Sequence, residues 1–450
     1  MNASTEIVSG TWKAPLERAR RCPPSADVVV IGGGIVGVST AWHLRRRGVS
    51  VVVCEKGHLA GEQSGRNWGW VRVQGRDPRE VPMMLQSMDI WRGLAGAIDA
   101  DVGYTEGGCY FTANSAKELA ELEAWCEVAR EHDLPTRLLT TAELRTTFGD
   151  IAARWQGALY TSTDGRAEPH LATRAMARDL ENRGGSVLTG CAVRGLLREA
   201  GRTAGVVTEI GEIRAGAVVC AAGAWTSLFC RAHDIDLPQL KVRGTVARLA
   251  AADSPLEGNL FDARLGIRRR RDGGYTVAHG SILDHSITPS TIRYAFKFLP
   301  ALRHELGVLR LRLGREFFDE LRMPSNWSLD EETPFERQRI LDPSPSDSAL
   351  KKLKGTIAEV FPQLASVPFV ESWAGMVETT PDVVPVIGEE PGMPGFYVAS
   401  GFSGHGFGLG PGAGKAIAAL VSGDDPGVDL TQFRRSRFYD GSPIRPYTAI

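Results

Sequence analysis

The first strongly patterned stretch of this 450-residue chain is Ala26-Asp27-Val28-Val29-Val30-Ile31-Gly32-Gly33-Gly34-Ile35-Val36-Gly37. Its β-branched run predicts a parallel strand that is buried on both faces. Residues 38–47 then carry apolar side chains at helical spacing, and residues 49–54 form a second β-branched run that ends at Glu55. The order of strand, glycine turn, helix and strand predicts a βαβ unit, and this unit decides the fold class.

The glycines of this unit have the spacing Gly-x-Gly-x-x-Gly at Gly32, Gly34 and Gly37. In nucleotide-binding units the first glycine permits the tight turn, the second lets a diphosphate approach the backbone, and the third brings helix and strand together. The free N–H groups at the helix start attract the diphosphate. Glu55 follows Gly37 by 18 residues, where an acid can accept hydrogen bonds from ribose hydroxyls. The pattern therefore predicts a dinucleotide site.

The composition excludes several classes of protein. Lys and Arg number 52 against 53 Asp and Glu, which gives no reason to expect nucleic acid as a partner. The seven cysteines are odd in number, scattered and without metal-ligand spacing, so they indicate reduced thiols of a cytoplasmic protein. We expect no secretory signal and no transmembrane segment, because no long apolar run occurs. Peripheral association with the inner membrane stays open.

The rest of the chain alternates between helical and β patterns. Helices are predicted over 81–98, 116–130, 169–183 and, with a basic character, 288–321. Strands are predicted over 108–112, 186–188 and 193–196, and a buried strand that runs into a glycine turn over 217–225, with short antiparallel strands between 241 and 284. An apolar strand over 396–399 leads into seven glycines between Gly401 and Gly414, and a last helix is predicted over 413–421.

Four later stretches carry a family likeness together with the βαβ unit: 157–160 with Asp164-Gly165, 218–225, 373–388 (WAGMVETTPDVVPVIG) and 400–415 (SGFSGHGFGLGPGAGK). In combination they resemble FAD-dependent amine and amino-acid oxidoreductases of the D-amino-acid oxidase type, the group of glycine oxidase, sarcosine oxidase and D-amino-acid dehydrogenase. The resemblance implies an α/β fold class, in which a Rossmann-like FAD-binding domain is interleaved with an α+β substrate domain built on a mixed or antiparallel sheet.

The expected domain boundaries follow from this resemblance. The FAD-binding domain is expected over 26–80, 155–240 and 370–432, and the substrate-binding domain over 81–154 and 241–369. An N-terminal arm over 1–25 and a C-terminal tail over 433–450 complete the chain.

The resemblance also implies which residues contact FAD. They are Gly32, Gly34, Ile35, Val36, Gly37, Glu55, Lys56, Ser64, Arg66, Asn67, Trp68, Val193, Ala222, Gly223, Trp225, Gly375, Gly401, Ser403, Gly404, His405 and Gly406. In some sarcosine oxidase relatives a cysteine, at the position that matches Gly375, bonds covalently to flavin. No cysteine lies between 231 and 450, and no histidine between Ser64 and Trp70, so noncovalent FAD is expected.

The glycine cluster from Gly401 to Gly414 is interpreted as backbone that lies against the flavin ring. The helix after it, expected to begin near Ala413, would direct its positive N-terminal end at the reduced flavin anion. Helix packing alone does not predict so many glycines.

The resemblance implies hydride transfer to flavin N5 from the carbon next to an amine, followed by hydrolysis of the imine. The first hypothesis is an oxidase or dehydrogenase acting on a D-amino acid or an N-substituted amino acid. Oxidation of an amine without an α-carboxylate, such as a γ-glutamyl-polyamine, is the second, and a flavin-binding subunit of a multi-subunit dehydrogenase is the third. The electron acceptor is O2 or a quinone-type carrier. Thr276 stands where sarcosine-type oxidases have an oxygen-activating lysine.

Two carboxylate anchors of the family have no counterpart here. Val377 stands where glycine oxidase has an arginine, and Gly408 where sarcosine oxidases have a lysine. Arg72 matches a third, sarcosine-type anchor, with a structural arginine as the alternative. Arg66, Arg264 and Arg268 are further candidates for a bidentate clamp, each with the same alternative.

The expected catalytic set is completed by three further residues. Glu378 would meet a cationic group of the substrate, His279 would face the pocket, and His405 would present its backbone to the flavin. For both histidines the alternative is a core residue with satisfied hydrogen bonds. Trp68 and Trp70 either wall an aromatic pocket or belong to the core.

Overall fold

The computed structural model describes residues 15–305 and 307–447. Residues 1–14 of the expected N-terminal arm and 448–450 of the expected tail lie outside the described residues. Within the described part, the strands are β1 Val28–Ile31, β2 Val51–Cys54, β3 Trp70–Val71, β4 Thr105–Glu106, β5 Cys109–Ala113, β6 Thr136–Thr140, β7 Gly157–Thr161, β8 Gly165–Arg166, β9 Ser186–Leu188, β10 Val193–Glu199, β11 Arg202–Thr208, β12 Gly211–Arg214, β13 Ala217–Cys220, β14 Leu240–Leu249, β15 Asn259–Asp262, β16 Leu265–Arg269, β17 Tyr275–Ser286, β18 Leu309–Arg312, β19 Phe369–Thr379, β20 Val386–Glu389 and β21 Phe396–Ser400. The helices are α1 Ile35–Arg46, α2 Gln63–Arg66, α3 Val81–Ile98, α4 Ala116–Glu131, α5 Thr141–Phe148, α6 Pro169–Asn182, α7 Thr226–Arg231, α8 Pro289–Arg293, α9 Ala295–Glu305, α10 Arg315–Leu321, α11 Pro334–Arg337, α12 Asp347–Val360 and α13 Gly406–Ser422.

The predicted βαβ unit forms the centre of a six-stranded sheet with the order β20-β21-β13-β1-β2-β9. Every residue of β1 is buried, as its β-branched sequence predicts. β1 runs parallel to both β2 and β13, so Ile31, Cys54 and Cys220 end these strands side by side. The chain turns that follow the three strands therefore meet at one edge of the sheet, where open α/β sheets bind their ligands.

A second sheet has the order β19-β14-β17-β16-β15-β5-β7-β6, and β18 pairs with β17 at its side. It is mixed, because β15 runs parallel to β5 and β18 parallel to β17, whereas the other neighbours are antiparallel. Two strands of this sheet lie outside the range expected for the substrate-binding domain. β7 pairs with β5 and β6, and β19 pairs with β14 over almost its whole length, although both were assigned to the FAD-binding domain.

Helix α3 was expected in the substrate-binding domain, but it packs against the FAD-binding domain. Its buried face, which includes Met84 and Trp91, shares one apolar core with Val28 and Val30 of β1. The helix therefore packs with the nucleotide-binding sheet and not with the substrate sheet. Its 18 residues have an apolar stripe on one side, but periodicity alone does not say which sheet that stripe covers.

The basic segment 288–321 was expected to be helical throughout. It forms α8, α9 and α10, but Leu309–Arg312 is a strand that pairs with the end of β17. Leucine and arginine alternate in this tetrapeptide, which is the two-residue period of a strand.

The glycine cluster is largely helical, which differs from the expectation. Helix α13 begins at Gly406, not near Ala413, and includes four glycines of the cluster at alternate positions after it. A Cβ atom on Gly410 would lie 2.8 Å from side-chain atoms of Ile35, and one on Gly412 or Gly414 would overlap Met83 or Ser39. Close packing of α13 on α1 and α3 therefore does require these glycines, because larger side chains would push the helices apart.

Among residues 15–305 and 307–447, no helix combines the length and the apolar character needed to cross a membrane.

Candidate functional site

A cleft with about 1220 Å³ of empty space, part of it open to solvent, begins where β1, β2 and β13 end. Many of the residues expected to contact the cofactor line it: Gly32, Gly34, Ile35, Val36, Glu55, Lys56, Ser64, Asn67, Val193, Ala222, Gly223, Trp225, Gly404 and Gly406. The expected residues that do not line it are Gly37, Arg66, Trp68, Gly375, Gly401, Ser403 and His405. Of the expected catalytic residues, Glu378 lines the cleft, whereas Arg72, His279 and His405 do not.

One end of the cleft is the glycine turn before α1. Gly32 has a φ of 113°, and a Cβ atom on it would overlap the carbonyl oxygen of Ala221. A Cβ atom on Gly37 would overlap the carbonyl oxygen of Gly32. Gly37 therefore supports the cleft from behind, because only glycine lets α1 approach β1 this closely.

The N-terminus of α1 opens into the cleft without a cap of its own, since its N-cap residue is Gly34. Ser64 Oγ, on the short helix α2, accepts a hydrogen bond of 2.9 Å from the Ile35 N–H. The remaining free N–H groups of the first turn carry the partial positive charge of the helix end. This donor set fits a diphosphate.

We predict that Ser64→Ala lowers the free energy of unfolding of the protein without bound cofactor by about 1 kcal/mol, the usual effect of a lost capping oxygen. Urea denaturation measures the change. Ser366→Ala, at an exposed serine in a turn, is the matched control and should change little. Equal effects of the two substitutions would contradict a capping role for Ser64.

The acid at the end of β2 is held at the same edge. Glu55 accepts hydrogen bonds of 2.7 Å from the Gly33 N–H and 2.6 Å from the Gly57 N–H, one at each carboxylate oxygen. Burial raises the pKa of Glu55, while Lys56 and the two N–H donors favour its charged form. Each carboxylate oxygen keeps a further lone pair, so Glu55 can still accept hydrogen bonds from ribose hydroxyls.

A polar group beyond Glu55 was missed by the sequence reasoning. Glu62 lines the cleft and accepts hydrogen bonds from Trp225 Nε1 at 3.0 Å and from Lys56 Nζ at 3.2 Å. The Lys56 ammonium also lies 4.2 Å from the centroid of the Trp225 ring. Glu62 lies only seven residues after Glu55, and this closeness in sequence is the signal that points to it. Phe335 and Ile340, which also line the cleft, come from a part of the chain after residue 321 for which the sequence predicts no element.

The other wall of the cleft comes from the end of β19 and the turn before α13. Val377 and Glu378 line it together with Gly404 and Gly406. The turn contains residues with left-handed backbone, with φ of 76° at Gly401 and 51° at Ser403. It brings the N-terminus of α13, with its free N–H groups, to the cleft.

Gly375 and Gly401 act through packing. A Cβ atom on Gly375 would overlap Gln63 Oε1 of α2, and one on Gly401 would overlap a methyl group of Thr380. Both glycines therefore shape the wall without lining the cleft.

His405 is the N-cap residue of α13, and its imidazole is directed toward α3 instead of lining the cleft. Its Nδ1 lies 2.9 Å from a carboxylate oxygen of Glu80, which is completely buried. Burial lowers the pKa of His405, and the Glu80 carboxylate opposes that shift. His405 thus fits the alternative of a hydrogen-bonded core histidine, whose backbone neighbours Gly404 and Gly406 face the cleft.

Glu378 is the one expected catalytic side chain that the structure brings to the cleft. It is only 8% exposed, and burial raises its pKa to about 7, with the nearby charge of Glu62 acting in the same direction. The Phe402 N–H donates to the carboxylate, and no described side chain hydrogen-bonds or ion-pairs with it. A carboxyl group in this state can take up or release a proton near neutral pH.

The expected role of Arg72 as substrate anchor is not supported by its position. Its guanidinium is buried, donates to the carbonyl oxygen of Gln74 and lies 4.9 Å from the centroid of the Phe111 ring. The buried carboxylate of Asp164, which accepts the Val73 N–H at 2.7 Å, contributes a neighbouring negative charge. Arg72 is therefore part of a buried polar cluster behind the cleft wall.

The other three arginine candidates are engaged elsewhere. Arg66 Nη1 donates to Asp342 at 2.7 Å, Arg264 pairs with Glu359 at the surface at 2.9 Å, and Arg268 grips the buried Glu168 through both Nη atoms at 3.0 and 3.2 Å. No arginine of the described ranges 15–305 and 307–447 lines the cleft. A guanidinium clamp for a carboxylate is therefore missing there.

We predict that Arg72→Met lowers the free energy of unfolding by roughly 1–3 kcal/mol, because a charged hydrogen bond inside the core is lost. It should change KM in the same proportion for substrates with and without a carboxylate. Urea denaturation and steady-state kinetics on both substrate types measure this. A KM increase confined to carboxylate substrates would restore the anchoring role.

His279 faces away from the cleft. Its neighbour Ala278 packs with Val246 and Trp373, and alternate residues of a strand point to opposite faces. Burial lowers the pKa of His279 to about 4, and the positive charge of Lys352 on α12 lowers it further. His279 therefore belongs to the far face of the sheet.

The two tryptophans belong to the core. The ring centroids of Trp68 and Trp70 are 5.3 Å apart, and Trp70 packs against Phe111 and Phe261. Trp68 packs against Gly266 of β16, because a Cβ atom at this position would lie 2.4 Å from a carbon of the Trp68 ring and overlap it. Neither ring lines the cleft.

Comparison with known proteins agrees with this geometry. The family model "DAO: FAD dependent oxidoreductase" matches residues 27–420. Among curated proteins, glycine oxidase of Pseudomonas aeruginosa is 26% identical over 90% of this chain and 97% of its own length, and sarcosine oxidase subunit beta of Arthrobacter is 24% identical over 94% of both chains. Among solved structures, L-amino acid deaminase of Proteus myxofaciens in complex with anthranilate has a TM-score of 0.91 and 32% identity, covering 95% of this chain and 97% of that one. L-amino acid deaminase of Proteus vulgaris has a TM-score of 0.89 and 27% identity, covering 94% and 99%.

Proposed function

The chain belongs to the DAO family of FAD-dependent oxidoreductases, and on this premise we propose that it oxidises the bond between the α-carbon and the nitrogen of an amino acid. FAD is its cofactor, and donors of the CH–NH type are its substrates. The sequence favoured a D-amino acid or an N-substituted amino acid. The likeness to two L-amino acid deaminases supports an L-amino acid as the first choice.

The observation that carries this proposal is the construction of the cleft from two distant parts of the chain. Its nucleotide end has the α1 N-terminus with Ser64, and Glu55 at the end of β2. Its other end has the α13 N-terminus beside the edge strand β19. These groups would hold the diphosphate, the ribose and the ring system of FAD, in that order. When bound, FAD supplies the hydride acceptor.

Glu378 can act as the proton acceptor that the oxidation of an amine requires. An ammonium group must lose its proton before the adjacent carbon can release a hydride, because only the neutral amine has an electron pair to donate. The Glu378 carboxylate pairs with the incoming ammonium and accepts that proton. Trp225, Phe402 and Phe407 line the same cleft and exclude water from the neutral amine. The oxidised substrate leaves as an imine, which water hydrolyses.

A second candidate is an amine without an α-carboxylate, such as a γ-glutamyl-polyamine. It is favoured by one observation: no arginine of the described residues lines the cleft, whereas the acid Glu378 does. In this case Glu378 would recognise the substrate amine without help from a carboxylate clamp.

We predict that anaerobic addition of the true substrate bleaches the visible flavin bands of the purified protein. The panel should contain L- and D-amino acids, N-methyl amino acids and γ-glutamyl-polyamines. Bleaching by L-amino acids alone supports the first choice, and bleaching by the polyamine derivatives alone supports the second. Admission of air then separates the proposed acceptors, because O2 produces peroxide and a quinone-type carrier does not. Flavin that stays oxidised with every compound would contradict both candidates.

A further inference from the structure

The segment 333–342, which includes the short helix α11, lies across the nucleotide end of the cleft. It was expected in the substrate-binding domain, but none of its residues, all of which the structure describes, belongs to a strand of either large sheet. Two of its side chains, Phe335 and Ile340, line the cleft together with Glu55 and Lys56. We call this segment the strap, because it is fastened to two separate parts of the chain that border the cleft.

Two arginine–carboxylate pairs fasten the strap to the hairpin of β10 and β11, whose first residue Val193 lines the cleft. Arg339 donates through both Nη atoms to the two carboxylate oxygens of Glu209, at 2.8 and 2.7 Å. Arg194 donates to Glu336 on α11 at 2.7 and 3.1 Å. The four charged side chains are largely shielded from water, with exposed fractions between 6% and 17%. Charge-assisted pairs of this kind are strong and directional.

The strap is also fastened to the segment 56–66, which follows the acid at the end of β2. Lys56 Nζ donates to the carbonyl oxygens of Arg339 and Gln338, at 2.6 and 3.1 Å. A Cβ atom on Gly57 would lie 2.7 Å from the carbonyl oxygen of Arg339, so the two backbones are in direct contact. The same stretch of the strap is therefore held from two directions, by β10–β11 and by the segment after β2.

An aromatic contact joins the strap to a third part of the cleft wall. The Phe335 ring lies 5.8 Å from the ring of Trp225 and 6.0 Å from that of Phe229, measured between centroids. Trp225 follows β13, and both partner rings belong to residues that line the cleft. Phe335 is only 4% exposed, so its contacts are those of a core residue. The strap thus packs on the turns that follow both β2 and β13.

We propose that the strap holds FAD in its site and that FAD leaves only when the strap opens. The proposal rests on FAD as the cofactor of the cleft. Phe335 and Ile340 present apolar surface to the nucleotide end, whereas the four charged side chains that fasten the strap do not line the cleft. These four are positioning residues, because they act on the cofactor through the strap. The rate of FAD dissociation should therefore depend on ion pairs outside the cofactor site.

The test is the rate at which FAD leaves the FAD-loaded protein after a large dilution, followed by the flavin fluorescence of the released cofactor. Arg339→Gln removes the bidentate pair and is expected to raise this rate at least about tenfold. Arg337→Gln is the matched control, because this exposed arginine of the strap donates to the carbonyl oxygen of Glu332 and not to the cleft wall. It should release FAD like the unchanged protein. Loss of FAD from Arg339→Gln during purification, with FAD retained in the control, is the same result.

Glu209→Gln tests the same pair from the other side. Its amide oxygen still accepts the Ala192 N–H, but the charge that holds Arg339 is removed. The double variant should release FAD less than the product of the two single effects would give, because the pair can be lost only once. Urea denaturation verifies that each variant is folded. Equal dissociation rates in Arg339→Gln and Arg337→Gln, or single effects that multiply in the double variant, would overturn the proposal. Bleaching by substrate, which tests the proposed function, does not depend on either result.

Discussion

Gly37→Ala is expected to weaken FAD binding about a hundredfold and to destabilise the protein by roughly 3 kcal/mol. The added Cβ atom would overlap the backbone carbonyl oxygen of Gly32, which cannot move as a flexible side chain can. Helix α1 would have to shift away from β1. Its N-terminus and the adjoining Gly34 would then leave the positions that receive the diphosphate. Flavin content after purification and titration of the cofactor-free protein with FAD measure the effect.

The matched control for this prediction is Gly96→Ala in α3. A Cβ atom at Gly96 would have no atom within 4 Å, and the residue is exposed within the helix. This change should leave FAD affinity unaltered and stabilise the helix by about 0.5–1 kcal/mol. If Gly37→Ala bound FAD as tightly as Gly96→Ala, the close contact of α1 with β1 would not matter for the cofactor.

Glu378→Gln is expected to reduce kcat/KM about a hundredfold or more, the usual contribution of a positioned proton acceptor. In the unchanged protein the pKa of Glu378 is raised to about 7 by burial. Its carboxylate form therefore increases as pH rises through 7, and kcat/KM should rise over the same interval. Glutamine keeps the shape of the side chain and cannot accept the proton, so this limb of the pH profile should disappear.

The stability of the protein and its activity are expected to change in opposite directions as pH rises. Because the pKa of Glu378 is higher in the folded protein than in the unfolded chain, folding favours its protonated form. Its contribution to stability is therefore lost as pH rises from the unfolded pKa of about 4.3 through 7. Glu378→Gln should be less sensitive to pH in this window, which urea denaturation at several pH values measures.

Glu371→Gln is the control for both measurements, since Glu371 lies on the same strand and does not line the cleft. It should keep the pH limb and the activity. The flavin spectrum of Glu378→Gln should also be unchanged in intensity, which separates loss of the proton acceptor from loss of cofactor. Retention of the pH limb in Glu378→Gln would contradict the proposed role.

The nucleotide end of the cleft could be predicted from the sequence because its determinants are local. The strand, the glycine turn, α1 and Glu55 lie within 30 residues of one another, and each requires a particular residue type. The FAD family resemblance added the distant wall at Gly404 and Gly406. Phe335 and Ile340, which come from a stretch without pattern, could not be found in this way.

The predictions from sequence were wrong where contacts between residues distant in sequence determine the structure. Arg72 is at the spacing of a substrate anchor, but the direction of its side chain just after β3 depends on Phe111 and Asp164, which are remote in sequence. The last helix was expected to begin only near Ala413, after most of the glycines, because glycine is a poor helix former. The tight contact of α13 with α1 and α3 overrides that preference, and no local pattern reveals it.

The most direct test of the central claim is the visible absorption spectrum of the purified protein, recorded before and after heat denaturation and filtration. We predict the two bands of oxidised flavin in the native sample, and their transfer to the filtrate as free FAD, since the cofactor is proposed to be noncovalent. A colourless protein that does not gain these bands after incubation with FAD would contradict the account.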